Sequence, residues 1–409
     1  MLKRIVAAAI IAAAPVAAQA PRCASGESVT RFGEWFSPVA GVDATTPGIP
    51  GIVPADVERR APVAVRLQFA VTNASGADWK LVLRDPQLRV LAILESRDFP
   101  PGAVRRQWTG RLEAAQLSAE LVGDAREARI DFVSGMALPS DSKGVNVYSI
   151  SGSAPTWQPL YDPGTAIIQR KQGESVGMMV AGAMAVPSAG PPKKATWCCT
   201  GAMLTHDIYI TNWHCGGIDT LPDEAHWTRE ICANTVMDLG WDNGGKARRQ
   251  YACDAVLHRN KPLDYVLLRI SPVTGPGAAT GRANPVRIAT ALPTGDDIFI
   301  VHHAQCLTKQ VSARGCTIDK RSIPGWTDDS STVTGSDITY SCDTEPGASG
   351  APVFDINGRM IALHHLGHQK VADGPRCPVD TVNKGVSMGS ILADLELNRP
   401  DLLAELPPR

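Results

Sequence analysis

The sequence predicts an all-β protein that ends in a single α-helix. Apolar residues alternate with smaller or polar ones over residues 63–69 and again over 79–83, which is the period of strands with one buried face. A turn-forming Asn-Ala-Ser-Gly run separates the two stretches. Beyond residue 172 short strand-like runs return, and only residues 390–397, just before Pro400, have the apolar spacing of a helix.

These patterns divide the chain into six segments. Short strand-like runs in the first half are typical of a small β-sandwich, and a second, larger β domain follows. The stretches before and between the two are rich in Gly, Pro and Ser, as coils and linkers are. We predict a signal peptide at 1–20, a coil lead-in at 21–60, a β-sandwich domain at 61–150, a linker at 151–171, the second domain at 172–398 and a tail at 399–409.

The first twenty residues have the pattern of a removable export signal. Lys3 and Arg4 precede an apolar run that is too short to span a bilayer, and small residues follow it. No later segment is apolar enough to anchor the chain. We therefore predict a secreted or periplasmic protein without a membrane span, in which the ten cysteines, an even number, form disulfides.

Composition argues against several classes of partner. Forty Lys and Arg residues face 41 Asp and Glu residues, for a net charge of −1, so neither a nucleic acid nor an acidic lipid surface is expected. Cys198 and Cys199 have histidines not far away, but no zinc-ligand spacing recurs. We expect no metal, no cofactor and a monomer.

Residues able to perform chemistry are concentrated in three short motifs of the second domain. His214 ends a strand-like run and precedes a cysteine, Asp264 precedes an apolar run, and Ser349 lies in Gly-Ala-Ser-Gly. A serine hydroxyl attacks an amide once a base takes its proton, and that base needs a third group to hold its tautomer. An unpaired carboxylate against a buried strand is costly. The motifs therefore predict a triad, in which Asp242 and Asp254 compete with Asp264 on spacing alone.

In this order and context the three motifs resemble those of the trypsin-like serine proteases. The resemblance covers residues 172–395. The run Thr-Glu-Pro-Gly-Ala-Ser-Gly at 344–350 is similar to the nucleophile loop of the bacterial lysyl endopeptidases, which form one branch with the glutamyl endopeptidases. The resemblance implies a double β-barrel with a terminal helix, and an exported serine endopeptidase that acts on proteins or peptides.

The same resemblance implies a role for each motif. His214 would be the general base, Asp264 would stabilise its imidazolium, and Ser349 would be the nucleophile. The amides of Gly347 and Ser349 would form the oxyanion hole. Where trypsins carry an aspartate that pairs with a newly cut N-terminus, this chain has Ala348, so the oxyanion loop must be ordered in another way.

Disulfide pairings are also predicted. Cys199 and Cys215 lie sixteen residues apart, and in trypsin-like enzymes this pair pins the histidine loop to a neighbouring strand. Further pairings that we predict are Cys232–Cys253, Cys306–Cys316 and Cys342–Cys377, which leaves Cys23 and Cys198.

Substrate specificity is ambiguous from the sequence. Asp343 lies six residues before the serine, where trypsins place the carboxylate that binds Lys or Arg. The pocket-lining strand carries His364, His365 and Gly367, and glutamyl endopeptidases use a histidine at the first of these positions to bind acidic side chains. Lysyl endopeptidases take their carboxylate from a later segment, where Asp380 is the nearest candidate. A buried acid selects cations and an imidazolium selects carboxylates. We favour cleavage after Lys or Arg, with Glu or Asp, or a small or apolar residue, as alternatives.

Two other interpretations stay open. A protease-like binding protein without turnover would keep the same fold, and the β-sandwich could be a targeting module that carries a protease to a surface. The pair His302 and His303 resembles a stretch found in the bacterial branch, and we interpret it as part of a strand.

Overall fold

The computed structural model describes residues 29–72, 78–99, 106–126, 128–139, 156–185, 193–218, 221–242, 249–273, 284–325, 335–366 and 383–407. The predicted signal peptide, Cys23, Gly367, Cys377 and Asp380 lie outside these ranges. No helix within them is both long and apolar enough to cross a bilayer.

Two antiparallel sheets enclose one apolar core in the N-terminal part of the chain. Alternate residues of the long strands, such as Leu67, Phe69 and Leu81, are fully buried between the sheets, as period two requires. Four short strands lie within the segment for which we predict coil, because strands of two or three residues are too short to show a period. The elements are β1 (Thr30–Arg31), β2 (Glu34–Phe36), β3 (Val42–Asp43), β4 (Gly48–Ile49), α1 (Ala55–Glu58), β5 (Ala64–Thr72), β6 (Trp79–Arg84), β7 (Val90–Glu95), β8 (Arg106–Trp108), β9 (Ser118–Gly123) and β10 (Arg129–Leu138).

One sheet has the order β2-β10-β5-β8, with β3 also paired to β10, and the other has the order β4-β9-β6-β7. The predicted β-sandwich therefore has its two sheets. The domain boundaries at residues 61 and 150 stay a prediction.

Six strands close into a first barrel in the middle of the chain. Its order is β13-β12-β15-β16-β17-β14, and β14 pairs back to β13. Strand β1, from the N-terminal part, adds to the outside of β13. The elements are β11 (Gln158–Pro159), α2 (Ile167–Gly173), β12 (Val176–Ala185), β13 (Lys193–Met203), β14 (Ile208–Thr211), α3 (Arg229–Ala233), β15 (Val236–Asp238), β16 (Gln250–Asn260) and β17 (Tyr265–Pro272).

A second barrel follows, with the order β19-β23-β24-β25-β22-β21. An isolated bridge joins Asp297 and Thr317, the residues just before its first and last strands. The linker strand β11 and the strand β20 extend the sheet beside β19. The elements are β18 (Arg287–Ile288), β19 (Ile298–His302), β20 (Gln310–Ser312), β21 (Ile318–Ile323), β22 (Asp337–Tyr340), β23 (Pro352–Asp355), β24 (Arg359–Leu366), β25 (Asn383–Ser387), α4 (Met388–Asn398) and α5 (Pro400–Glu405).

The terminal helix is confirmed. Helix α4 begins after Ser387, whose side chain accepts the amide hydrogen of Ser390, and it ends before Pro400, which opens the short helix α5. Its apolar side packs into a core shared by both barrels, through Ile391 and Leu395. The predicted all-β architecture, with a double barrel and a terminal helix, is therefore the one observed.

The described cysteines form four disulfides, two of which were predicted. Cys199–Cys215 and Cys232–Cys253 are present as expected. The predicted pairs Cys306–Cys316 and Cys342–Cys377 are wrong, because Cys306 bonds to Cys198 and Cys316 bonds to Cys342. The first of these links the two barrels across 108 residues, and a pairing over such a separation leaves no local trace in the sequence.

The N-terminal sandwich docks on the first barrel through buried charge. Arg66 of β5 is fully buried and pairs with Asp238 of β15, and Arg111 Nη1 donates to the same carboxylate at 2.7 Å. Trp108 Nε1 donates to the Ala233 carbonyl oxygen at 2.9 Å. A buried cation is costly without its counter-ion, so these contacts hold the sandwich and the barrel in one arrangement.

Candidate active site

The end of strand β14 positions His214. The strand pairs with β13 on one side and β17 on the other, and the chain then enters a short 3₁₀ turn that begins at His214. The disulfide Cys199–Cys215 fastens the next residue to β13. The residue before His214, Trp213, stacks on His226 with ring centroids 4.5 Å apart. The imidazole of His214 is almost completely buried.

Asp264 contacts both the backbone amide and the imidazole of His214. It lies in the turn between β16 and β17, with φ of 48°. This left-handed backbone conformation is uncommon for residues other than glycine, and such strained conformations are concentrated at functional sites. Its Oδ1 accepts the His214 amide hydrogen at 2.9 Å, and its Oδ2 lies 2.7 Å from His214 Nδ1. Burial raises the pKa of Asp264, but His214 and His365 outweigh burial and hold the pKa below its usual value.

A second histidine contacts the same carboxylate from the other barrel. His365 Nδ1 lies 3.5 Å from Asp264 Oδ2, and His365 Nε2 lies 2.8 Å from Asp337 Oδ2. Burial lowers the pKa of His365, but Asp337 and Asp264 outweigh burial and raise it to about 9. The predicted pocket residue His365 therefore stands as an imidazolium between two carboxylates. Its partner Asp337 lies 28 residues away, and nothing local in the sequence indicates the contact.

Ser349 lies between two glycines whose conformation no other residue adopts easily. Gly347 and Gly350 have φ of +101° and +84°. A Cβ on Gly347 would lie 2.6 Å from the His303 carbonyl oxygen, and one on Gly350 would lie 2.1 Å from the Thr200 carbonyl oxygen. The loop is thus pressed against its neighbours, with Ser349 9% exposed at its turn.

The loop lies against the histidine segment. The Ser349 carbonyl oxygen accepts the Thr200 amide hydrogen at 2.8 Å and lies 3.9 Å from the sulfur of Cys215, the residue after His214. The amides of Gly347 and Ser349 donate to no other residue that the structure describes. Two unengaged N–H groups beside a nucleophile are what an oxyanion hole requires. The structure therefore gathers the three predicted triad residues where the two barrels meet.

The predicted pocket carboxylate Asp343 is half-buried. Its Oδ2 accepts two hydrogen bonds from Thr156 of the linker segment, from the amide at 2.9 Å and from Oγ1 at 2.7 Å. Its backbone carbonyl accepts from Ser312 Oγ at 2.5 Å. No described residue donates to its Oδ1.

The predicted pocket histidine His364 is buried and not charged. Its Nδ1 lies 2.6 Å from the hydroxyl oxygen of Tyr340, and that hydroxyl donates its hydrogen to the Lys384 carbonyl oxygen. Burial holds the pKa of His364 well below its usual value, so the ring is neutral at neutral pH. The other predicted pocket residues, Gly367 and Asp380, lie outside the described ranges.

Two features next to the nucleophile had no signal in the sequence. Glu345 is partly buried, and burial raises its pKa to about 7. Thr200, on β13, contacts the nucleophile loop with both its backbone and its hydroxyl. His302 ends β19 as predicted for strand structure, and His303 follows it directly.

The double barrel is the fold that the resemblance to the trypsin-like serine endopeptidases predicts. In agreement, residues 199–363 match the trypsin-like peptidase domain family. The chain thus carries a trypsin-like peptidase domain, and the protein is a serine endopeptidase. No curated protein sequence matches the chain.

Solved structures also resemble the chain at low identity. The Rv3671c protease of M. tuberculosis in its active form is 17% identical, over 58% of this chain and 87% of that one, with a TM-score of 0.38. The inactive form of the Rv3671c protease is 16% identical, over 56% and 91%, with a TM-score of 0.37. The HtrA-type protease AlgW with a decapeptide is 11% identical, over 56% and 67%, with a TM-score of 0.39. Similarity this low is no guide to substrate or regulation.

Proposed function

We propose that this endopeptidase is exported, hydrolyses protein or peptide substrates through His214, Asp264 and Ser349, and cleaves after Lys or Arg. The observation that carries the proposal is the buried His214–Asp264 pair, with Nδ1 and Oδ2 2.7 Å apart, on the barrel face that Ser349 contacts. The lysyl endopeptidase-like loop at 344–350 supports the same branch.

The reaction follows from this arrangement. His214 Nε2 takes the proton of the Ser349 hydroxyl as the oxygen attacks the scissile carbonyl carbon. The carbonyl oxygen becomes an oxyanion, which the Gly347 and Ser349 amides stabilise. His214 then gives its proton to the leaving amine and the C–N bond breaks, which leaves an ester on Ser349. A water molecule, deprotonated by the same imidazole, hydrolyses that ester and restores the serine.

Asp264 fixes the tautomer of His214 and stabilises its protonated form. Because its carboxylate accepts from His214 at Nδ1, the lone pair of the neutral ring is at Nε2, the nitrogen available to the serine. The carboxylate also stabilises the imidazolium that forms when the proton is taken. Its depressed pKa keeps it ionised over the whole pH range in which such an enzyme works.

The charges around Asp343 and His364 favour a basic substrate side chain. Asp343 presents a carboxylate oxygen, Oδ1, to which no described residue donates. His364 is neutral because burial depresses its pKa, so it lacks the charge that would hold Glu or Asp. A cation and not an anion is therefore the side chain that this pair would bind.

Export is supported by the four disulfides, since such bonds persist in oxidising compartments. Amino-terminal sequencing of the protein recovered from outside the cytoplasm should show that residues 1–20 are absent. We also propose a monomer, which light scattering would test.

One experiment tests activity and specificity together. The purified protein is incubated with a denatured protein mixture, and the new termini are read by mass spectrometry. We expect cleavage after Lys and Arg by the wild type and none by Ser349→Ala. Labelling of Ser349 by phenylmethylsulfonyl fluoride is the second readout. If the folded wild type neither cleaves nor takes the label, it is a binding protein with a protease fold.

The triad residues should act as one unit. Ser349→Ala and His214→Ala should each reduce turnover to a residual roughly 10³–10⁴ above the uncatalysed rate, and the double variant should be little worse. A double variant far slower than either single one would contradict the assignment of these two residues.

A further inference from the structure

The oxyanion loop of this chain needs a constraint other than an ion pair. Ala348, next to the nucleophile, is fully buried and carries no charge, so a freed amino terminus has no carboxylate to bind at this position. An oxyanion hole stabilises the transition state only if its donors are already in place. The loop must therefore be held by neutral contacts.

Every peptide unit from Pro346 to Gly350 has its carbonyl fixed by a hydrogen bond. The carbonyl oxygen of Pro346 accepts from the Gln305 amide at 2.6 Å, and that of Ala348 accepts from the Ala351 amide at 2.9 Å. The two remaining carbonyls, of Gly347 and Ser349, are both held by a residue of the other barrel.

That residue is Thr200, which is fully buried on β13. Its amide donates to the Ser349 carbonyl oxygen at 2.8 Å. Its hydroxyl donates to the Gly347 carbonyl oxygen at 2.8 Å and accepts the His303 amide hydrogen at 2.9 Å. Its own carbonyl oxygen accepts from Thr211 Oγ1 at 2.7 Å, so the anchor is itself held in place.

The hydrogen bonds to these carbonyls also determine which amides of the loop remain available to a substrate. The peptide unit from Gly347 to Ala348 is held at both ends, because the Ala348 amide donates to the Glu345 carbonyl oxygen at 3.0 Å. The unit from Ser349 to Gly350 is held in the same way, through the Gly350 amide and the His364 carbonyl oxygen at 2.8 Å. Among the described residues of the loop, the amides of Gly347 and Ser349 are the ones left to donate to a substrate oxygen.

We propose that Thr200 is the positioning residue of the oxyanion loop. Its hydroxyl orders the loop in this protein, as an ion pair to a new amino terminus orders it in trypsin. The inference rests on the proposed roles of Ser349 and of the Gly347 and Ser349 amides. It implies that the loop is assembled without cleavage of the chain. The hydroxyl touches no reacting atom and acts through the Gly347 peptide.

The test replaces the hydroxyl by a methyl group of the same shape. Thr200→Val should lower kcat roughly 10- to 100-fold, below the roughly 10²–10³-fold loss expected when an oxyanion donor itself is removed. The KM for a peptide ester should change by less than about threefold, because ground-state binding does not use the oxyanion hole. Thr200→Ser keeps the hydroxyl and should restore kcat to within about threefold.

A second readout separates positioning from stability. A peptide aldehyde, whose hemiacetal oxygen occupies the oxyanion hole, should bind Thr200→Val more weakly by the same factor as kcat falls. Binding of the amine product peptide, which places no oxygen in the oxyanion hole, should not change. If Thr200→Val does not fold, Thr200→Ala removes the same hydroxyl without the added methyl, and the same split is expected.

Thr235 offers a matched control in the first barrel. It is also fully buried, and its hydroxyl donates to the Ile231 carbonyl oxygen at 2.6 Å, far from the nucleophile loop in the sequence. Thr235→Val should lower the Tm about as much as Thr200→Val and leave kcat unchanged. Equal kcat losses in both variants, or full kcat and aldehyde affinity in Thr200→Val, would overturn the inference.

Failure of the proposed function would look different. In that case the wild type and Ser349→Ala would be equally inactive on every ester and peptide. If the wild type is active and Ser349→Ala is not, while Thr200→Val keeps full activity, only the role of Thr200 is lost.

Discussion

Two carboxylates, Asp264 and Asp343, have the same chemistry and opposite surroundings. Asp264 is fully buried, and both its oxygens are engaged by His214, with His365 beyond. Asp343 is half-buried, and only its Oδ2 receives hydrogen bonds from the described residues, both from Thr156. A carboxylate that orients an imidazole is saturated by fixed partners, whereas one that recognises a cation must keep an oxygen available. The difference suggests one carboxylate for catalysis and the other for selection.

Neutralising the buried carboxylate should have the largest effect on turnover. Asp264→Asn should lower kcat by about 10⁴-fold, because an amide in place of the carboxylate favours the wrong tautomer of the imidazole. Its KM should change little. Steady-state kinetics on a peptide ester would measure both.

Asp254 supplies the matched control for that variant. It lies on β16, is exposed and accepts a hydrogen bond from Ser271 Oγ at 2.9 Å. Asp254→Asn should retain wild-type kcat. A collapse of kcat in Asp254→Asn with an active Asp264→Asn would move the triad to the competing aspartate.

Neutralising the other carboxylate should change selection and not turnover in general. Asp343→Asn should lower kcat/KM for Lys and Arg substrates by about 10²-fold, since removing one partner of a buried charge pair costs roughly 2–5 kcal/mol. Substrates with a small neutral side chain should be cleaved almost as before. His364→Gln is the companion variant. If the enzyme selected Glu or Asp, His364→Gln and not Asp343→Asn would lose activity.

The sequence was a good guide to what local motifs encode. His214, Asp264 and Ser349 each stand beside a strand or a glycine pair with its own pattern, so the fold class and the gathering of these residues could be predicted. Cys199–Cys215 was predicted from the resemblance to trypsin-like enzymes, and Cys232–Cys253 was predicted as a local pair.

Contacts between the barrels could not be predicted in this way. The Cys198–Cys306 bond and the Asp337–His365–Asp264 chain join strands that come together only when both barrels have closed. Local periodicity carries no information on such pairings, so the predicted partner of Cys306 was wrong and the contacts of His365 with Asp264 and Asp337 were not predicted.

The imidazolium of His365 should make stability depend on pH in a specific window. Its pKa is raised to about 9 in the folded protein, from an ordinary value of 6.5. Its contribution to the free energy of unfolding is therefore fully present below about pH 6.5 and is lost as the pH rises through 9. Urea unfolding at pH 6 and pH 9.5 should show this loss in the wild type and a smaller one in His365→Gln. An equal pH dependence in both proteins would mean that His365 is neutral.

The smallest expected effect concerns the linker residue that supports the pocket carboxylate. Thr156→Val removes one of the two hydrogen bonds to Asp343 Oδ2 and keeps the one from the amide. A hydrogen bond at a half-exposed site contributes about 1 kcal/mol, so kcat/KM for Lys and Arg substrates should fall about threefold to fivefold, mostly through KM. Thr156→Ser should behave as the wild type.

Thr165→Val is the matched control in the same segment. It loses the hydrogen bond from Thr165 Oγ1 to the Pro159 carbonyl oxygen and should leave KM unchanged. Because Thr156 precedes both barrels in the chain, an altered KM would show that the linker takes part in selecting the substrate, and an unaltered one would leave Asp343 to do so by itself.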